Sequence, residues 1–81
     1  MKIDLKFFSI IREIVGSKEM PMEISPGMTV EGLLEELLNR YPGLEPYERS
    51  LMVAVNRDFA DVSTILKEGD EVALMPPIGG G

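Results

Sequence analysis

The first residues alternate. In KIDLKFF (residues 2–8), Ile3, Leu5 and Phe7 fall on one side and Lys2, Asp4 and Lys6 on the other, the period-two pattern of a strand with one buried face. Phe8 breaks the alternation. SIIREIVG (residues 9–16) then offers Ser9 as a cap, Ile10, Ile11, Ile14 and Val15 at helical spacing and Gly16 as a stop, which predicts a turn or two of helix. MPMEI (residues 20–24) reads as a second short strand, and Pro21 confines it to an edge or to its own beginning.

A turn at SPGM (residues 25–28) leads into the strongest pattern of the chain, TVEGLLEELLNRY (residues 29–41). Thr29 is placed to cap a helix and Glu31 to complement the positive end of its dipole, while Val30, Leu33, Leu34, Leu37, Leu38 and Tyr41 form one apolar stripe. Pro42 and Gly43 end it. Gly32, inside the first turn, costs on the order of 1 kcal/mol relative to alanine, and close packing on a sheet is the expected reason for it.

A loop through PGLEPYERS precedes LMVAVN (residues 51–56), whose nearly continuous apolar character predicts a central strand. NRDFAD turns the chain. STILKEGDEVALMP then carries Leu66, a KEGD turn built on Gly69 and a last strand over residues 71–75, with Val72 and Leu74 inward and Ala73 and Met75 outward. The order is strand, strand, long helix, strand, short strand, strand. It predicts an α+β fold of the β-grasp (ubiquitin-like) kind, a mixed sheet of four to five strands with one long helix packed across it, over residues 1–75, followed by a flexible tail at 76–81.

Composition narrows what such a domain can do. The chain has 81 residues, 44% of them apolar and 27% charged, the make-up of a folded globular chain with a single core layer. No apolar run is long enough to span a bilayer and MKIDL does not resemble a secretory signal, so a cytoplasmic chain with no membrane partner is expected. Cysteine and histidine are both absent, which removes the thiol nucleophile, the disulfide framework, the usual zinc site and the imidazole general base. A formal charge of −6, from 14 acids against 8 bases, argues against a nucleic-acid backbone as ligand and suits a basic protein partner better.

Four features could carry chemistry. The closing glycines are no phosphate cradle, because no helix follows to supply oriented N–H groups. Glu31, Glu35 and Glu36 read as a solvated helix face rather than a metal or acid–base site, and Arg12 with Glu13 as a solvated pair. Phe8, Phe59 and Met75 form a candidate docking patch, core filling being the alternative. With the cradle set aside, the first of these features is the tail as a whole, Pro76, Pro77, Ile78, Gly79, Gly80 and Gly81.

Five segments now stand in order over nearly the whole chain: LKFFSIIREIVG, TVEGLLEEL, MVAVN, LKEGDEVALMPP and PPIGGG. Together they resemble the MoaD/ThiS family of sulfur carriers, and the FF, the RE and the PP before the tail resemble its molybdopterin branch. The resemblance implies a carrier whose reactive group is the backbone. An adenylating, E1-like activating enzyme uses ATP to join AMP to the terminal carboxylate, sulfur replaces an oxygen to give a thiocarboxylate, and the carrier donates that sulfur. Its recipient is a cyclic pterin precursor held by the large subunit of molybdopterin synthase. On this chain the carboxylate belongs to Gly81, Gly80 completes the terminal pair, and Gly79 falls at a position that varies. The resemblance thus implies no stably bound cofactor, no metal, and a sulfur-donating subunit of a sulfurtransferase complex rather than an enzyme acting alone.

The physics of such a tail agrees with that reading. A free carboxylate resists nucleophilic attack through its charge and resonance, whereas an acyl adenylate has a competent leaving group. Glycines without Cβ atoms can enter a channel too narrow for side chains. Six extended residues span roughly 20 Å, enough to reach a partner's pocket, and Pro76 and Pro77 lower the entropy lost on docking. Three other readings share the fold: a thiamine-pathway sulfur carrier, a ubiquitin-like modifier conjugated through Gly81, and an interaction module with an inert tail.

Overall fold

The computed structural model describes residues 1–77; the tail positions Ile78, Gly79, Gly80 and Gly81 lie outside the described residues. Strand β1 (Lys2–Phe7) pairs antiparallel with β2 (Glu19–Glu23), setting Ile3 opposite Met22 and Leu5 opposite Met20. The alternation of the first segment sends Ile3, Leu5 and Phe7 into the core, each at most 1% exposed. β2 is an edge strand, which is where a proline without an N–H belongs: Pro21 lies opposite Asp4.

Helix α1 (Ser9–Val15) stops at Gly16, which adopts a left-handed φ of 84° and donates its N–H to the Arg12 carbonyl. Its start differs from the expectation. Phe8, not Ser9, is the N-cap residue, and no side chain caps the helix. The Phe8 N–H is held by the Leu74 carbonyl at 3.1 Å, so the chain stays extended through Phe8 and turns only at Ser9, which takes φ 55°.

Helix α2 (Val30–Arg40) follows its pattern closely: Thr29 Oγ1 accepts the Gly32 N–H at 3.2 Å, and Val30, Leu33 and Leu37 are buried. Gly32 does not pack on the sheet. A Cβ built there would meet Met28 Cγ at 3.4 Å and Thr29 Oγ1 at 3.7 Å, both ordinary contacts, so close approach does not explain the glycine. The stretch read as a loop contains a 3-10 helix (Pro42–Tyr47) that buries Leu44 completely. One apolar residue among prolines, glycine and acids gave no periodicity from which to predict it.

Strands β3 (Met52–Val55), β4 (Asp58–Phe59) and β5 (Glu71–Met75) complete a sheet of order β2-β1-β5-β3-β4. β5 runs parallel to β1 and antiparallel to β3, so the last strand, rather than β3, occupies the centre. The short strand lies inside NRDFAD, where Asn56 and Arg57 make the turn with φ 51° and 74°. Val72 and Leu74 are fully buried beneath α2 and α1, with Val53, Met22, Ile24, Ile11 and Leu66 filling the same single layer. This is the mixed-sheet β-grasp architecture.

A polar clasp fixes where β5 begins. Asp70, 9% exposed, accepts the Asn56 side-chain amide at 2.9 Å through Oδ1 and the Lys67 N–H at 2.8 Å through Oδ2. The Asn56 Oδ1 in turn accepts the Glu71 N–H at 3.0 Å, and the Asn56 N–H is donated to the Glu71 carbonyl at 2.8 Å. Gly69, at φ 83°, turns the KEGD segment so that its N–H meets the Lys2 carbonyl at 2.8 Å. One carboxylate therefore joins the β3–β4 turn, the KEGD turn and the start of the central strand.

Candidate functional site

The site follows from the direction of β5. Its inward residues, Val72 and Leu74, are consumed by the core, and its outward residues, Ala73 and Met75, stay half-buried on the opposite face of the sheet. Alternation across the ladder puts their partners on that face too: Ala54 opposite Ala73, Met52 opposite Met75 and Phe59 opposite Ala54. Phe8, extended at φ −122° and ψ 150°, continues the alternation of β1 and turns its ring away from buried Phe7.

The three residues singled out as a docking patch thus belong to one outer face. Phe8 is 47% and Phe59 64% exposed. They flank it rather than touch: β5 and β3 lie between β1 and β4, and at about 4.8 Å per strand spacing the two are separated by roughly 14 Å. Met75 and Met52 bridge the gap with unbranched side chains that adapt to a partner's shape. Met52, Ala54 and Ala73 were not singled out from sequence as docking residues. Alternation within LMVAVN is the signal for Met52, but the face it shares with Met75 depends on the pairing of β3 with β5.

Polar groups frame this face. Lys6 Nζ lies 3.3 Å from Glu71 Oε2, with Asp4 on the same strand as Lys6, opposite Glu71, and Glu19 opposite Lys6 on β2. Pro76 is half-buried and Pro77 exposed, so the chain leaves β5 beside Met75 and the outer apolar face. Among the described residues no group of three or more Asp or Glu side chains is placed to hold a metal ion. Glu31 and Glu35 are exposed on α2 and Glu36 is half-buried there. No helix of the described residues is long and apolar enough to cross a membrane.

A five-stranded mixed sheet crossed by one long helix, with its central strand delivering the chain to an apolar face, defines a ubiquitin-like β-grasp protein. The ThiS family model matches residues 5–81, and the chain belongs to the ThiS family. The molybdopterin synthase sulfur carrier subunit of Mycobacterium tuberculosis is 34% identical over 84 aligned positions, covering 100% of this chain and 99% of the relative. That of Arabidopsis thaliana is 31% identical, covering 100% of this chain and 84% of the relative. Among solved structures, a putative molybdopterin converting factor subunit 1 from Pyrococcus furiosus superposes with a TM-score of 0.87 at 28% identity, over 96% of this chain and 99% of that one. The small archaeal modifier protein 1 of Haloferax volcanii reaches 0.81 at 25% identity, over 95% and 98%. The complex of subunits 1 and 2 of the molybdopterin-converting factor from Helicobacter pylori gives 0.72 at 26%, over the whole of both chains.

Proposed function

We propose that this chain is the sulfur carrier subunit of molybdopterin synthase and that its reactive group is the carboxylate of Gly81. The observation that carries the reading is the full-length match to relatives of that name, which runs through the glycine segment. The geometry supports it. The core is complete between Ile3 and Leu74, so the residues after Pro77 are not needed to build the domain. The outer face beside Met75 and Pro76 offers apolar surface to a partner.

The chemistry belongs to the backbone. A carboxylate oxygen of Gly81 attacks the α-phosphorus of ATP in the activating enzyme's site and pyrophosphate leaves. Sulfide supplied by a sulfur donor then attacks the acyl carbon, the bond to AMP breaks, and a thiocarboxylate remains. Gly79 and Gly80 let this group enter a narrow site, where the thiocarboxylate sulfur displaces an oxygen leaving group of the pterin precursor on the large subunit, and hydrolysis of the resulting thioester leaves the sulfur on the pterin and returns the Gly81 carboxylate. Docking of that subunit falls to Phe8, Met75 and Phe59, supported by Met52. The Helicobacter complex gives the precedent of two such subunits bound to one another.

Intact-mass analysis of the protein made together with its activating enzyme should show one oxygen-to-sulfur exchange, mapped to Gly81 by fragmentation. Recovery of the carboxylate alone, with ATP and sulfur donor in excess, overturns the reading. The likeness to the small archaeal modifier protein supports a second role, conjugation of Gly81 to lysines of other proteins. Isopeptide-linked species carrying this sequence would establish it, and their absence from cells with an active carrier would remove it.

A further inference from the structure

At the α2–β4 flank of the sheet, bordered by Met52 and Phe59 of the outer face, lies a groove that the chemistry of sulfur transfer does not use. β4 has only two residues, so the sheet stops short under one flank of α2. Leu34 and Leu38 remain half exposed there, facing Val53, Ala60 and Val62 across a groove of about 830 Å³. Val62 is 52% exposed. The rim is acidic: Glu31, Glu35, Glu48 and Asp61 stand against one base, Arg49. Among the described residues none of these four carboxylates has a cation within 4.0 Å, and Glu31 and Glu35 repel one another across a helical turn. Asp61 is held below the usual carboxylate range chiefly by the Ser63 hydroxyl, with the Ser63 N–H assisting.

The groove is also preformed. The Val30 and Glu31 N–H groups are donated to the Thr64 and Val62 carbonyls at 2.9 and 3.0 Å, and the Leu66 N–H to Met28 at 2.9 Å. These bonds tie the 62–66 wall to the start of α2, so little ordering is required on binding.

We infer that this groove is a second docking site, whose occupant is a basic amphipathic helix of a protein partner. An added strand would find an edge of only two residues and gain few backbone hydrogen bonds, so affinity must come from side chains. Apolar anchors at i, i+3 or i+4, and i+7 suit the Leu34–Leu38–Val62 trough, and flanking lysines or arginines suit the unpaired acids. Met52 and Phe59 border the groove but Phe8 and Met75 do not, so a partner held there covers only the β4 flank of the outer face and leaves Phe8, Met75 and the exit from β5 free. The carrier can then be retained by one protein while its tail is engaged by another.

The test titrates 15N-labelled full-length protein with an amphipathic leucine–lysine helical peptide, and with the same peptide carrying glutamate for every lysine. Expected are shift changes centred on Leu34, Leu38 and Val62, binding that weakens about tenfold as salt rises from about 0.05 to about 0.5 M, and no binding of the glutamate peptide. Glu35→Lys with Glu48→Lys should weaken the lysine peptide about tenfold at an unchanged melting temperature, and Val62→Gln by a smaller factor. Shifts centred on Ala73 and Met75, equal binding of both peptides, or full affinity in the charge-reversed protein would each overturn the inference.

Discussion

The two ends of β5 are built in opposite ways. At its start Asp70 and Glu71 are gripped by Asn56, by the Lys67 N–H and by the KEGD turn, all through polar groups at 2.8 to 3.0 Å. At its other end Met75 pairs with Met52, after which Pro76 and Pro77 have no N–H with which to continue a ladder. One end is fastened and the other is presented. Stability and function are therefore separable along a single strand, and substitutions at its two ends should fail in different ways.

The largest effect is expected at the presented end. Deletion of Gly81 should abolish thiocarboxylate formation, measured by intact mass, while the melting temperature stays within about 1 °C of the parent, since an exposed terminus contributes little to stability. A deletion that lowered the melting temperature substantially would mean that the tail is part of the fold and that the comparison is mistaken. At the fastened end the result should invert. Asp70→Ala leaves the Asn56 amide and the Lys67 N–H without their acceptor, a loss of about 2–3 kcal/mol, which for a domain of this size lowers the melting temperature by about 10 °C or more. At temperatures where it is folded, the variant should still accept sulfur. Thermal melts alongside mass analysis give both readings from the same samples.

Next comes the face beside the tail. Met75→Asp or Phe8→Asp sets a charge on apolar surface that a partner would desolvate, and should weaken large-subunit binding about 10- to 30-fold, or ~1.4–2 kcal/mol. Calorimetry on the pair of subunits measures this. Unchanged affinity would move the docking surface elsewhere on the sheet while leaving the assignment of Gly81 intact.

How much of this was visible in the residues depends on whether the signal was local. The inward alternation of Ile3, Leu5 and Phe7, the Thr29 cap and the Gly69 turn are each written in a handful of neighbouring positions. What the sequence left unread depends on pairing across distance. That Asp70 meets Asn56 follows from β3 and β5 lying side by side, and no spacing announces it. Likewise Met52 joins Met75 only through the register of those strands. Ser9 was misread as a cap because its composition is right, but the bond from Phe8 to Leu74 outweighs local preference. The tail was legible as chemistry through its composition, and through its resemblance to known carriers.

Gly32 is where local reasoning and structure part most clearly, and it yields the smallest prediction. Its glycine suggested a backbone pressed against the sheet, yet the space for a Cβ is ordinary and its backbone does not adopt a positive φ. Its N–H serves the Thr29 cap, a bond that alanine keeps. Gly32→Ala should therefore stabilise the domain by about 0.5–1 kcal/mol, through lower backbone entropy in the unfolded chain and better helix propensity, raising the melting temperature by about 3–6 °C. Because α2 lies on the opposite side of the sheet from Met75, sulfur loading and large-subunit affinity should not change. A stabilised variant that lost partner affinity would show that α2 takes part in docking, and would narrow the contrast between the two ends of β5 to one of stability alone.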